Sequence, residues 1–496
     1  MIGRLIEWCT RNGALVIIAT VVLTAAGLWA MRATPLDAIP DLSDVQVIVS
    51  TEWSGRSPDL IEDQITYPIV TALISAPGVR TVRAVTELGV SAVYVVFEDG
   101  IDLYWARSRV VEYLQGIGAR LPPGVVPSIG PDATGVGWVY QYALVDESGH
   151  QDLASLRSWQ DWHLRASLAS VPGVAEVASI GGFVKQYQVT LDPGRLSAHG
   201  LAIRDVVEAI RAGNAEVEGR LLEFAGREYM VRGRGYLTSI ADIESIALRA
   251  DARGTPLRVG DVADVRLGPD IRRGAADLDG RGEVVGGIVI MRVGENARDV
   301  IAGVKARLRD TTSSLPPGVR LVTTYDRSGL IDQSIATLRR TLIEEAVVVS
   351  LVIVLFLGHL RSALVPILAL PVALVGAFIP MYAFGVNANI MSLGGLALAV
   401  GVLVDAAIVM VENAYRRISE PRNGEAIPLA SQPAEITHAA TQVARPIFFS
   451  LVIIVVSFLP VFLLEAQEGR LFRPLALTKT AAMVCAPCSR SRSCPS

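Results

Sequence analysis

Read as a pattern of apolar and polar positions, the chain is a long mixed region framed by uncharged runs. Residues Gly13 to Met31 carry no charge, with Arg4 and Arg11 before them and Arg32, Asp37, Asp41 and Asp44 after. At about 1.5 Å per residue such a run spans roughly one bilayer as a helix. A cleaved signal peptide has a shorter apolar core and a small-residue cleavage site; neither is evident, so a retained spanning helix is expected. The next runs come only after residue 341: Leu342 to Gly358, Ser362 to Phe384, Ile390 to Val411 and Pro446 to Leu464. Five spans are therefore predicted, with a sixth beginning near Leu475. Short arginine-bearing segments tend to stay cytoplasmic. These are Arg4/Arg11, His359-Leu360-Arg361, and the stretch holding Arg416, Arg417, Arg422 and Arg445. Placing all three inside puts the region from 32 to 341 outside.

That outer region repeats itself. Ser75-Ala-Pro-Gly-Val-Arg-Thr-Val82 matches Ser170-Val-Pro-Gly-Val-Ala-Glu-Val177, and Leu121-Pro-Pro-Gly-Val125 recurs as Leu315-Pro-Pro-Gly-Val319. The spacing between the two motifs is about 99 residues longer in the second copy, which marks an insertion. In the first copy, periodicity predicts a strand (Val45 to Trp53), a helix opened by Ser57-Pro58, strands at Arg80 to Ala84 and Ser91 to Phe97, a helix from Asp102 to Ala119, and a last strand after the Pro-Pro-Gly turn. The second copy repeats the order with Trp138 to Val145, Leu153 to Ala169, Val174 to Ser179, the insertion, Val284 to Val293, Ala297 to Leu308 and Val319 to Thr324. This β-α-β-β-α-β order is the split βαβ of ferredoxin-like domains. The expected division is a first span (1–32), a first repeat (33–135), a second repeat (136–181 and 283–330) holding an insertion (182–282), spans two to five (331–475) and an interrupted sixth span (476–496). The fold class is α+β: a helix bundle in the membrane with two ferredoxin-like units outside it.

Composition agrees with a membrane protein: 51% hydrophobic, 19% charged, mean hydropathy +0.42. With 45 basic against 49 acidic residues there is no chain-wide attraction for nucleic acid. Four cysteines cannot staple a fold of 496 residues. Basic residues are nearly all arginine, the lysines being Lys185, Lys305 and Lys479. No GxSxG, HExxH or phosphate loop is present, and the histidines at 150, 163, 199, 359 and 438 are scattered.

Candidate chemistry sits in the fourth span. Asp405 lies about 9 Å inside the helix end, where a charged carboxylate costs on the order of 2.5–3.5 kcal/mol. Its functional reading is a group that binds and releases a proton; the alternative is a structural acid paired with a base on another helix. At 100° per residue Glu412 falls within about 20° of its face and Met391 within about 40°. Gly394 and Gly401, near the same face, are expected to let neighbouring helices approach closely. Glu412 with Asn413 equally fits a helix end at the membrane surface, and Met391 and Met410 equally fit apolar filling. Glu344 and Glu345 mark the outer end of the second span. Cys485-Ala-Pro-Cys488 invites a thiolate metal or redox reading. The text around it, Ala-Pro-Cys-Ser-Arg-Ser-Arg-Ser-Cys-Pro-Ser, is polar where a membrane helix is due and points instead to a frameshift or truncated gene.

Pro40-Asp-Leu-Ser-Asp-Val-Gln-Val47, Pro131-Asp-Ala-Thr-Gly-Val-Gly-Trp138, Asn387-Ala-Asn-Ile-Met-Ser-Leu-Gly-Gly395, Val404-Asp-Ala-Ala-Ile-Val-Met-Val-Glu-Asn413 and Glu465-Ala-Gln-Glu-Gly-Arg-Leu-Phe472 together resemble the heavy-metal efflux pumps of the resistance-nodulation-division superfamily, inner-membrane proteins of Gram-negative bacteria. The similarity runs from residue 1 to about Met483. It implies a multi-pass transporter with a large periplasmic region, driven by proton antiport, and not an enzyme. It also implies that Asp405 is the proton relay, with Glu412 beside it, and that Met391 and Met410 are relay thioethers. The two repeats would be porter subdomains and the insertion a docking subdomain for an outer-membrane channel. Three copies would assemble with a periplasmic adaptor protein; no cofactor is implied, the metal ion being cargo. Asp405 followed by Ala406 looks like the copper/silver branch, since multidrug members carry two adjacent aspartates. Leu403 departs from that branch, where methionine is common. Soft thioethers suit Cu(I) and Ag(I); the alternatives are a pump for zinc, cobalt or nickel and a non-transporting N-terminal fragment. Family members are about twice this long, and their second half carries further spans and the basic partner of the aspartate.

Overall fold

The computed structural model describes residues 2–250, 254–272, 274–358, 360–419 and 432–490. Outside the bundle, the first repeat folds as β1 (Gln46–Glu52), β2 (Val79–Glu87), β3 (Val90–Phe97) and β4 (Ser128–Ile129), in the spatial order β2-β3-β1-β4. The second repeat begins with β5 (Trp138–Asp146) and β6 (Val174–Ile180). The chain then leaves through β7 (Lys185–Leu191), β8 (Val217–Phe224), β9 (Arg227–Gly233), β10 (Ala247–Ala250), β11 (Pro256–Arg258) and β12 (Ala263–Pro269). It returns in β13 (Val285–Met291) and β14 (Val319–Asp326), completing a sheet ordered β14-β5-β13-β6. Matched strand for strand, the two orders are the same, and every pairing is antiparallel. The Pro-Gly-Val turns occupy equivalent corners. Gly78 and Gly173 both turn in the left-handed region, at φ 73° and 83°, which only glycine adopts without strain.

Helices cover one face of each sheet because their apolar residues fall on one side. Ile61, Ile65, Ile69 and Leu73 recur every four residues and are fully buried against β1 and β3. In the second repeat Leu156, Gln160, Leu164 and Leu168 hold the same four-residue spacing and are buried. Ser57 stands at the expected N-cap position but makes no capping bond. Asp102 does cap, accepting from the Trp105 amide at 2.8 Å. Each of the two expected helices contains a five-residue π turn, Glu62–Thr66 and Gln160–Leu164. The last strand of the first copy shrinks to two residues, since Pro127 and Pro131 flank it and cannot donate to a ladder.

Among the described residues four helices are long and apolar enough to cross a membrane: Gly13–Ala33, Ser362–Ala383, Ile390–Ser419 and Ala434–Phe462. The expected second span forms the last part of Arg327–Leu357, a 31-residue helix that leaves β14 directly. Arg340, Glu344 and Glu345 on that helix shorten its charge-free stretch, which is why it stands apart from the four. The third span is broken between Leu360–Gly376 and Phe378–Ala383, with Pro366, Pro371 and Pro380 removing backbone donors. At the expected sixth span a helix, Ala466–Arg490, packs along Ile390–Ser419, and its backbone continues to Arg490 through the polar text. The side chains of Cys485 and Cys488, His359, and Arg422 lie outside the described residues.

Candidate functional site

The helix Ile390–Ser419 is central to the bundle and opens on a polar cap. Asn389 and Ser392 are buried there, 3% and 0% exposed. The Asn389 Oδ1 accepts from the Met391 and Ser392 amides at 3.0 Å each, and the Ser392 Oγ accepts from the Asn389 amide at 2.8 Å. These reciprocal bonds satisfy the free amides of the first turn where no water reaches. The Asn-Ala-Asn-Ile-Met-Ser text is thus a helix start placed inside the protein.

Past this cap the helix has two faces. Leu396, Ala399, Val400, Leu403, Val404 and Ala407 are buried among the neighbouring helices. Leu398, Gly401, Asp405, Val409, Glu412 and Arg416 are exposed on the opposite side, all within about 40° of the Asp405 direction. Among the described residues Asp405 meets no hydrogen-bond or ion-pair partner. Met391, partly buried, belongs to this face. Met410 does not: it points about 140° away, toward the packed side. The two thioethers are also about 28 Å apart along the helix, so they cannot share one ion. Among the described residues no group of three or more His, Cys, Asp or Glu side chains could hold a metal.

The close helix approach expected at Gly394 and Gly401 is not there, since an added β-carbon at either would meet nothing within 4 Å. It occurs one residue away. A β-carbon at Gly395 would collide with Thr478 Oγ1 and lie 2.5 Å from the Leu475 carbonyl, so this glycine seats Ala466–Arg490 against the Asp405 helix. At the far end of the helix Asn413 Nδ2 donates to the Ala439 carbonyl at 2.9 Å, a packing role.

Four of the quoted motifs meet where the bundle joins the outer repeats. The guanidinium of Arg470 donates to the Leu42 carbonyl at 3.0 Å and the Ser43 carbonyl at 2.5 Å, and pairs with Asp44 at 3.2 Å and with Asp99. Arg80 pairs with Asp44 at 2.9 Å on its other side. Burial alone would push the Asp44 carboxyl up, but the bonds and charges of Arg80 and Arg470 outweigh it and hold it below the usual carboxylate value. A few residues earlier Asp37 pairs with Arg327 at 2.7 Å, both side chains largely buried, and Arg327 also donates to the Val136 carbonyl. Here burial outweighs the arginine and raises the Asp37 carboxyl. The Asp37 amide donates to the Ala388 carbonyl at 3.1 Å, the Ala388 amide to Pro35 at 2.9 Å, and the Ile390 amide to Ala38 at 3.3 Å. In the Pro131 motif, Asp132 accepts from Arg292 at 2.8 Å and from the Tyr104 hydroxyl at 3.0 Å. The Gly135 amide donates to Ser43 Oγ at 3.1 Å. Nothing in the sequence pattern singles out Arg327, and Arg470 and Gly395 stand there only as letters of longer motifs with no role attached. Asp37 reads there only as a charge flanking the first span and Asp44 as that and as one letter of the Pro40–Val47 motif, while Arg327 and Arg470 lie hundreds of residues from them.

Two split βαβ repeats on an apolar helix bundle make a fold of the resistance-nodulation-division type. Residues 6–488 match the AcrB/AcrD/AcrF family, and the chain belongs to it. It is 53% identical over 486 residues to the cation efflux system protein CusA of Escherichia coli (strain K12), covering 97% of this chain and 46% of that protein. The same figures hold for the putative cation efflux system protein SilA of Salmonella typhimurium. Identity to the cobalt-zinc-cadmium resistance protein CzcA of Cupriavidus metallidurans is 38% over 493 residues, again 46% of its length. A crystal structure of a heavy metal efflux pump superposes with a TM-score of 0.86 at 32% identity, over 99% of this chain and 48% of that one. The chain spans about half the length of the relatives it matches. The resemblance to the copper/silver branch is borne out by these identities.

Proposed function

We propose that this chain is the N-terminal half of a proton-driven exporter of monovalent copper or silver, seated in the bacterial inner membrane with its two repeats and insertion on the periplasmic side. The observation that carries this reading is the Asp405 face: an acid inside the otherwise apolar run from Ile390 to Val411, turned away from the helices of its own half. A carboxylate there is costly in hydrocarbon, so the face is suited to meeting further helices that shield it. Asp405 takes up and releases the proton as its surroundings alternate between water and protein, with Glu412 on the same face toward the far end. Met391 offers a thioether to a soft ion at the near end; Met410 serves from the packed side. Identity falls from 53% for the CusA and SilA relatives to 38% for the one named for cobalt, zinc and cadmium, which supports a cargo other than those divalent cations. In the assembled pump the insertion meets an outer-membrane channel, and three copies assemble with a periplasmic adaptor.

The test is co-expression of this chain with a matching second half in hosts sensitive to copper and silver or to zinc and cobalt. Resistance to copper and silver is expected. Resistance confined to zinc and cobalt would replace the cargo assignment. This chain alone should insert and give no resistance; resistance from it alone, above its own Asp405→Asn control, would show the second half to be dispensable.

A further inference from the structure

We propose that the helix Ile2–Arg11 lies along the membrane edge on the side away from the repeats and, together with Arg445, holds an anionic phospholipid of that leaflet by its phosphate and headgroup. The helix is too polar to enter hydrocarbon, with Arg4, Glu7 and Arg11 in 10 residues. It is also held at the edge, because the first span begins directly after Asn12. Asn12 stands between the two helices at φ −116° and ψ 45°, and its amide and Nδ2 both donate to the Trp8 carbonyl, at 3.0 and 2.9 Å, which ends the first helix before the span starts. Trp8 is separated by about 30 Å of helix from Trp29, whose ring meets that of Tyr382 edge-on at 5.0 Å toward the opposite end of the span. Aromatic rings collect at both interfaces of a bilayer.

Two sides of this helix follow from its spacing. Gly3, Ile6 and Cys9 are turned inward: Cys9 is 7% exposed, and a β-carbon at Gly3 would lie 3.2 Å from Thr441 Cγ2 of the helix Gln432–Ser457. At 100° per residue Arg4, Trp8 and Arg11 fall within about 60° of one another on the opposite side, and all three are exposed, Trp8 by 52%. The two guanidiniums thus start about 10 Å apart with an indole between them. Arg445 stands one turn past Thr441 on the face that meets Gly3, exposed, its guanidinium 6.0 Å from the ring centre of Phe449. Phe448 and Phe449 are exposed beside it and offer a surface to acyl chains. Among the described residues none of these three arginines has a carboxylate partner, whereas Arg417, which donates to Gln442 beside Thr441, is paired with Glu435 at 2.9 Å. Guanidiniums grip phosphate through paired N–H donors and stay charged at physiological pH. Three of them rimming an apolar shelf suit a lipid of net negative charge better than a zwitterionic one, whose own cation would meet theirs.

The whole chain in detergent, titrated with phosphatidylglycerol or phosphatidylcholine brominated in the acyl chains, reads the site through Trp8, the signal being the fluorescence of the chain less that of Trp8→Phe. Saturable quenching of Trp8 by phosphatidylglycerol is expected, about tenfold or more tighter than by phosphatidylcholine. Each of Arg4→Gln, Arg11→Gln and Arg445→Gln should weaken it about fivefold, and the triple variant about a hundredfold. Arg120→Gln, on an exposed turn of the first repeat, should change nothing. If a variant does not elute as the wild type, salt around the unsubstituted chain replaces it. Going from about 0.1 M to about 1 M shortens the Debye length from about 10 Å to about 3 Å, which should weaken the phosphatidylglycerol curve and leave the phosphatidylcholine curve in place. Equal quenching by the two lipids would reduce the helix to an apolar anchor, quenching unmoved by the arginines and by salt would place the lipid elsewhere, and no quenching of Trp8 would put this face against a protein. Any of the three overturns the proposal.

Discussion

Removing Asp37 should cost far more than removing a surface acid. Its side chain is 12% exposed and that of Arg327 is 6%, so Asp37→Ala strands a guanidinium in the protein with the Val136 carbonyl as its remaining acceptor. Losing one partner of a buried pair destabilises by about 3–5 kcal/mol, because the surviving charge stays desolvated. Burial already raises the Asp37 carboxyl against the pull of Arg327, which places the expected cost at the lower end, about 3 kcal/mol. At about 1.4 kcal/mol per decade this is roughly a hundredfold shift in local opening. The assay is hydrogen exchange at the amides of residue 37 and Ala388, which close the clasp onto the start of the Asp405 helix. The double variant Asp37→Leu/Arg327→Met should lose much less, since neither charge is left to bury. A single variant within about 1 kcal/mol of wild type, or a double variant costing the sum of the singles, would refute the argument.

Gly395→Ala should lower the thermal stability of the detergent-solubilised chain by about 1–3 kcal/mol through collision with Thr478 and Leu475, while Gly394→Ala and Gly401→Ala should be neutral; melting curves of the three decide it. Ile65→Ala, at a fully buried position in the first repeat, should cost about 2–5 kcal/mol, read as a lowered midpoint for loss of β-sheet circular dichroism. The Asp44 carboxyl is depressed below 3.8, so the stabilisation from its ion pairs is complete above that pH and lost as pH falls through the lower folded value. Acid titration of wild type against Asp44→Asn should therefore show the two stabilities converging only below about pH 4, and convergence near neutrality would contradict the pairing.

The repeat in the outer region was legible because the Pro-Gly-Val turns demand glycine at left-handed corners, and so the order of strands in the two sheets can be matched from the sequence alone. The π turns were not, because one extra residue in a turn leaves the surrounding 3.6-residue pattern readable as plain helix. The second span is marked in the sequence by its apolar run alone, whereas the helix that carries it begins in polar text right after β14. Asp405 and Glu412 fall on one face by spacing, and the same arithmetic puts Met410 off it. What spacing could not supply was partners: Arg470 finds Leu42 across 428 residues, and Gly395 rather than its neighbour Gly394 meets the adjacent helix because the register between two helices is set by packing.

Metal resistance of Asp405→Asn tests the central claim most directly. The variant is expressed with a matching second half in a copper- and silver-sensitive host, with membrane levels of both halves measured alongside. The amide keeps the shape of the side chain and cannot carry a proton. The expected result is loss of the resistance seen with the unsubstituted pair at unchanged protein levels. Wild-type resistance in this variant would contradict the assignment of Asp405 as the proton-carrying group, and loss of the protein itself would make the acid a structural one.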